Sequence, residues 1–289
     1  MEYAIIAHDL SKTYGRRIVV DHVTFTVPAG QTLGLLGPNG AGKTTTMRML
    51  MGLSRPTSGA AQIFGLDIKA QLKQIHRNIG VVFEKPNLFE ALSGYQNLKI
   101  FCRLYGQPET KIRPFLERMD LWERAHDPVK TYSKGMRQRI LISRALIHEP
   151  KLLFLDEPCS GLDPVSSRII RDYLLELKKR GITILLTSHD MEEVDELCDQ
   201  IGFINHGRMI ALEEPYLLKE KYGTQQLRLL YRTTSAPDSP TRAETLAPTP
   251  ANLQKINLLY LEKRIISLHS TEATLGEIFR KLSETTIDN

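Results

Sequence analysis

Eight consecutive residues carry the most specific chemistry in this chain: Gly37-Pro38-Asn39-Gly40-Ala41-Gly42-Lys43-Thr44 match GxxxxGK[ST], and Thr45 continues the run. The motif follows an apolar stretch at 32–36 and opens a helical pattern, the strand-turn-helix context in which it has physical meaning. Its glycines let backbone N–H groups turn inward around a β-phosphate. Lys43 then reaches the β- and γ-oxygens, Thr44 offers its hydroxyl to Mg²⁺, and the helix N-terminus faces negative charge. ATP with Mg²⁺ is the ligand and cofactor expected here. A chance glycine-rich turn would not have strand, loop and helix all in place.

A second landmark is Leu152-Leu153-Phe154-Leu155-Asp156-Glu157, an apolar strand ending in two acids. Beside a phosphate loop, Asp156 is placed to hold the Mg²⁺ shell and Glu157 to polarise the attacking water. His189 follows the next apolar strand, 183–187, where an imidazole can contact a γ-phosphate. Acids and a histidine at such positions are otherwise solvated loop residues. The neighbouring phosphate loop favours the catalytic reading.

These groups need a sheet to hold them. Residues 4–8 and 18–27 read as short strands separated by Gly15-Arg16-Arg17, so an antiparallel sheet precedes the first buried parallel strand at 32–36. From Tyr95 to His148 the pattern is helical, with Leu98, Phe101, Cys102 and Tyr105 at i, i+3, i+4, i+7. The runs 151–155 and 183–187 read as buried parallel strands joined by an amphipathic helix from Val165 to Arg180, which Gly181 stops. After Gly223 the character changes. Strands are expected at 227–232 and 264–268, a Pro-, Ser- and Thr-rich loop at 233–250, and a final amphipathic helix marked by Leu275, Ile278, Phe279 and Leu282.

The bulk composition excludes more than it assigns. With 289 residues, 42% hydrophobic and 25% charged, the chain has material for one large or two modest globular domains. No run of about 18 apolar residues occurs and the first ten residues lack a leader pattern, so a cytosolic chain that does not itself cross a membrane is expected. Cys102, Cys159 and Cys198 are too few and too scattered for a disulfide framework or a metal knuckle. The net charge of +5 is spread among acids along the chain, so no specific nucleic-acid partner is expected.

Asp156 follows Lys43 by 156 − 43 = 113 positions, long for a simple nucleotidase, and the intervening helical stretch ends in Tyr132-Ser133-Lys134-Gly135-Met136-Arg137-Gln138. This run resembles the ABC ATPase signature, usually LSGGQ; Ser133 and Gly135 fit, whereas Tyr132, Lys134 and Met136 depart. Other landmarks of that family fall in order. Tyr14, flanked by Ser11-Lys12-Thr13 and Val20-Asp21-His22-Val23, resembles the aromatic that stacks on adenine. Ser160-Gly161-Leu162-Asp163 resembles the D-loop, and His189 the switch histidine.

The resemblance covers about 1–222. It implies an α/β fold: a RecA-like P-loop NTPase core with an antiparallel β subdomain and an α-helical subdomain inserted at about 88–148. An ABC ATPase domain would fill 1–223, leaving 224–289 as a small C-terminal α+β accessory module.

Where many relatives carry a glutamine, this chain reads Val82-Phe83-Glu84-Lys85-Pro86. Glu84 can still approach Mg²⁺ or the attacking water through an oxygen, but it adds a charge and removes an amide donor. Lys134 is either a solvated loop lysine or an extra positive charge facing a partner's γ-phosphate.

The resemblance further implies a head-to-tail homodimer or heterodimer of ATPase subunits, with ATP sandwiched between one P-loop and the other chain's Ser133 and Gly135. The pair would drive separately encoded transmembrane permease subunits from the cytoplasmic face of the cell membrane. The wording of the P-loop and of Ser160-Gly161-Leu162-Asp163-Pro164 is similar to the branch that exports drugs, antibiotic peptides or sodium, although some amino-acid importers share it. A soluble ABC protein of translation or repair would carry two ATPase halves or a long coiled coil. A small-molecule kinase would carry an acceptor lid where this chain has the signature.

Overall fold

The structure is a computed structural model that describes residues 2–223, 226–236, 238–271 and 273–287. Apolar residues alternating with polar ones make β1 (Tyr3–Tyr14) and β2 (Arg17–Pro28) an antiparallel pair turning at Gly15 and Arg16. In β2, Val23, Phe25 and Val27 are buried while His22, Thr24 and Thr26 face out, the period-two pattern of a sheet with one solvated face. β3 (Thr32–Leu36) is buried at every residue and runs into the glycine loop and α1 (Lys43–Leu50). The chain then returns to the first sheet through β4 (Ser58–Ile63) and β5 (Leu66–Asp67), giving the strand order β2-β1-β4-β5.

After α2 (Leu72–Asn78) and β6 (Ile79–Val82) comes the helical insertion of α3 (Gly94–Leu104), α4 (Ile112–Arg118) and α5 (Lys134–Leu146). A reciprocal cap starts α3: the Ser93 hydroxyl accepts from the Gln96 N–H, and the Gln96 side chain accepts from the Ser93 N–H. The expected apolar stripe divides. Leu98 and Cys102 are fully buried, whereas Phe101 and Tyr105 line a groove shared with Phe83 and Arg144. β7 (Leu152–Asp156), α6 (Pro164–Lys179), β8 (Thr183–Ser188), α7 (Met191–Leu197), β9 (Gln200–Asn205) and β10 (Arg208–Glu213) complete a six-stranded sheet ordered β10-β9-β3-β8-β7-β6. Five of these strands are parallel and buried; β10 pairs antiparallel with β9 at the edge. Gly181, with φ +82°, ends α6 as expected.

The chain divides into two compact units, Met1–Glu214 and Pro215–Asn289. The break falls nine residues before the boundary expected at 223/224, because α8 (Pro215–Tyr222) packs on the last helix, α10 (Leu275–Ile287), where Lys281 Nζ donates to the Tyr222 carbonyl. β11 (Gln226–Arg232), β12 (Thr241–Leu246) and β13 (Ile265–Thr271) form an antiparallel sheet ordered β12-β11-β13. α9 (Pro250–Leu261) adds Ile256 and Leu259 to Leu229 and Tyr231 in a small core. The stretch 233–250, expected as loop, therefore contains an edge strand. Only Leu246 and Ala243 signal β12 among polar residues, and pairing to β11 decides its conformation.

Candidate functional site

At the C-terminal ends of the parallel strands lies a cleft of about 580 Å³, floored by residues 37–45 and walled by Val19, Glu84, Glu157, Ser160 and His189. Its floor is built by close backbone approach. Gly42 takes φ +110°, and a Cβ there would sit 2.7 Å from the Val19 carbonyl oxygen, so only glycine fits between β2 and the start of α1. No side chain caps the N-terminus of α1, and Gly42, Lys43, Thr44 and Thr45 at that end line the cleft.

Lys43 is 6% exposed, and its ammonium donates to the Gly37 carbonyl at 2.6 Å and the Pro38 carbonyl at 3.2 Å. Burial pushes this amine below its ordinary value of 10.5, opposed by the charges of Glu157, Asp156 and Glu84. The three acids singled out by the sequence thus surround the one lysine of the motif. Thr44 Oγ1 donates to Asp156 Oδ1 at 3.0 Å, and Thr187 Oγ1 donates to the same oxygen at 2.6 Å. This hydroxyl-carboxylate pair, with Glu84 on the same cleft, is a hard oxygen donor set. It suits a small divalent cation that takes its remaining ligands from phosphates and water.

Glu157 begins the turn after β7 in a left-handed backbone conformation, φ +52°. Its N–H donates to both the carbonyl and the hydroxyl of Thr187 at 3.1 Å, which ties the backbone at Glu157 to the end of β8. Its Oε2 lies 2.7 Å from Nδ1 of His189. An acid on the cleft wall paired with an imidazole can orient a water against a phosphoryl group held over the loop.

Other expected residues stand apart from this cleft. Tyr14 ends β1 half exposed, its hydroxyl 3.1 Å from Ser54 Oγ and its ring 4.8 Å from the Lys12 ammonium; it does not line the cleft. Ser133, Gly135 and Asp163 form a second cluster. Ser133 caps α5 by accepting from the Met136 N–H, Asp163 caps α6 by accepting from the Ser166 N–H, and a Cβ on Gly135 would lie 2.1 Å from Ser166 Oγ. None of the three lines the cleft of its own chain. Ser160, singled out in the sequence only as the start of the D-loop-like run, lines the cleft, whereas sequence reasoning passed over Val19 and Thr187. Val19 carries no chemical signal of its own, whereas a threonine closing a buried strand just before His189 was a readable one.

A protein family described as ABC transporter matches residues 20–160. Over 257 residues the chain is 41% identical to a fluoroquinolones export ATP-binding protein of Mycobacterium tuberculosis, covering 88% of this chain and 84% of that one. It is 39% identical over 212 residues to a bacitracin transport ATP-binding protein of Enterococcus faecalis, covering 73% and 69%. A solved ATP binding subunit of an ABC transporter superposes with a TM-score of 0.70 at 31% identity, over 76% of this chain and 93% of the other. The phosphate loop, Asp156, Glu157, His189 and the turn of Ser133 and Gly135 all lie on one α/β framework, and the solved ATP binding subunit shares that fold. The chain belongs to the ABC transporter family, as one of its ATP-binding, ATP-hydrolysing subunits.

Proposed function

We propose that this chain hydrolyses Mg-ATP as half of a head-to-tail ATPase dimer that powers a separate membrane permease, in a transporter that exports drugs, antibiotic peptides or ions. The observation that carries this reading is the separation of the two clusters. Ser133 and Gly135 cap and pack the start of α5 away from their own cleft, so the γ-phosphate side of that cleft lacks the signature residues. A second ATPase subunit would supply them, and its α5 N-terminus would point a helix dipole at the phosphate.

Within the closed site, Lys43 and the α1 N-terminus would hold the phosphates, while Thr44, Asp156 and Glu84 would offer oxygens to Mg²⁺, which neutralises phosphate charge when bound. Glu157, held by Thr187 and His189, would align the water. Tyr14 would swing onto the adenine from the rim. The apolar groove of about 270 Å³ that includes Phe83, Phe101, Tyr105 and Arg144 adjoins the Glu84 loop and supports coupling to a permease segment. Among the described residues no helix is long and apolar enough to cross a membrane, so a separate chain would form the path and hold this one at the cytoplasmic face. The C-terminal unit would regulate or assemble the complex. The names of the relatives supply the export reading.

Glu157→Gln tests the dimer. It removes the base and keeps the binding groups, so hydrolysis should fall by at least about a hundredfold while Mg-ATP drives the variant into a dimer on size-exclusion chromatography. A variant that stays as monomeric as the parent, with and without the co-expressed permease, refutes the sandwich.

A further inference from the structure

Lys134 occupies the signature position where the usual LSGGQ pattern has its first glycine, so its side chain has no counterpart in that pattern. Its ammonium donates to the Ser160 carbonyl at 2.6 Å. Ser160 in turn stands on the wall of this chain's own nucleotide cleft. Gly161 makes the reach possible: it takes φ +63°, and a Cβ there would lie 2.7 Å from Lys134 Nζ.

The surroundings show what this bond adds. The starts of α5 and α6 are each fixed by a side-chain cap, Ser133 and Asp163, and by the tight seat of Gly135 on Ser166. The turn between Glu157 and Asp163 is held less firmly. Its internal backbone bonds, Ser160 N–H to the Glu157 carbonyl and Leu162 N–H to the Cys159 carbonyl, are both 3.3 Å long, and the Cys159 thiol is 4.0 Å from the Ser167 carbonyl. The Cys159 thiol also bonds to buried Glu193, and the bond from Lys134 is the short, charged constraint on Ser160 itself.

We propose that Lys134 is a positioning residue for ATP hydrolysis: it ties the Ser160–Gly161 turn, and hence the wall beside Glu157, to the signature turn of the same chain. Resting on the head-to-tail reading, the tie joins two different ATP sites, because the signature turn serves the partner's nucleotide and Ser160 faces the chain's own. A glycine at position 134 offers no such link.

The test compares Lys134→Met, which keeps length and removes the charge, with Lys134→Arg, which restores a cationic donor. In the full-length chain without nucleotide, amide exchange over 158–162 should speed by about three- to tenfold in the methionine variant, the scale of one exposed charge-assisted hydrogen bond. In the complex with its permease, kcat should fall by a similar factor, about three- to tenfold, with KM for ATP within about twofold. Arginine should restore both. Lys134 is exposed at the start of a helix, so methionine is compatible with folding, and an unchanged melting temperature verifies this.

Unchanged exchange, unchanged kcat, or an arginine variant as impaired as methionine overturns the proposal. So does a raised KM with intact kcat, which would put the ammonium on the partner's phosphate. The exchange measurement needs no dimer. A failure of the sandwich reading would appear separately, as a Glu157→Gln protein that Mg-ATP does not dimerise.

Discussion

His189 Nδ1 and Glu157 Oε2 lie 2.7 Å apart, so a side-chain contact joins the ends of β8 and β7 at the mouth of the nucleotide cleft. The histidine is 62% exposed at its side chain and the glutamate 12%, which leaves the imidazole free to turn toward a phosphate while the acid stays seated. His189→Ala should lower kcat by at least about tenfold through loss of orientation, and leave ATP affinity within about threefold because the phosphate loop is untouched. Parallel turnover and calorimetric titrations check this; a matching loss in both would make His189 chiefly a binding residue.

Lys43 is a buried cation held only by two loop carbonyls and surrounded by three acids. Lys43→Ala should abolish hydrolysis and erase the rise in melting temperature that Mg-ATP gives the parent, a rise that mass action predicts for any ligand binding the folded state alone. Thermal scans with and without Mg-ATP read the second effect, and an undiminished rise would remove Lys43 from the phosphate site.

Glu84 stands on the cleft wall where a glutamine is commoner. Glu84→Gln retains an oxygen at nearly the same place and should preserve at least about half of the permease-stimulated ATPase activity, losing mainly the charge. Glu84→Ala removes the oxygen and should cut that activity by about tenfold or more, with little change in ATP affinity. Parental turnover in the alanine variant would reduce Glu84 to an ordinary loop acid.

The unit boundary after Glu214 gives a truncation with a definite outcome. A chain ending at 214 should bind ATP like the parent. A chain ending at 223 strands α8 without α10, exposing the fully buried Leu218, and should melt lower or aggregate more. Loss of ATP binding in a folded 1–214 chain would tie the C-terminal unit to the chemistry.

Most of the site was legible because its residues obey local rules. The glycine loop needs a strand before it and a helix after it, and the acids need a buried strand, and each leaves a contiguous pattern such as 32–44 or 152–157. What stayed hidden depends on contacts distant in sequence. Val19 reaches the cleft only because β2 crosses beneath Gly42, and the Lys134–Ser160 bond spans 26 positions. The same reason hid β4, whose Ser58-Gly59-Ala60-Ala61 start has little strand character and which is specified by pairing with β1. The domain boundary differs for a related cause: composition changes at Gly223, whereas packing divides the chain after Glu214.

The left-handed backbone of Glu157 has an evolutionary reading. A non-glycine residue there costs on the order of 1 kcal/mol that glycine would not, so the folded chain carries a standing penalty at the residue proposed to align the attacking water. Heat resistance and catalysis therefore pull position 157 in opposite directions. A library of this chain selected only for survival at high temperature would drift toward glycine or asparagine there, and its hardiest members would be idle.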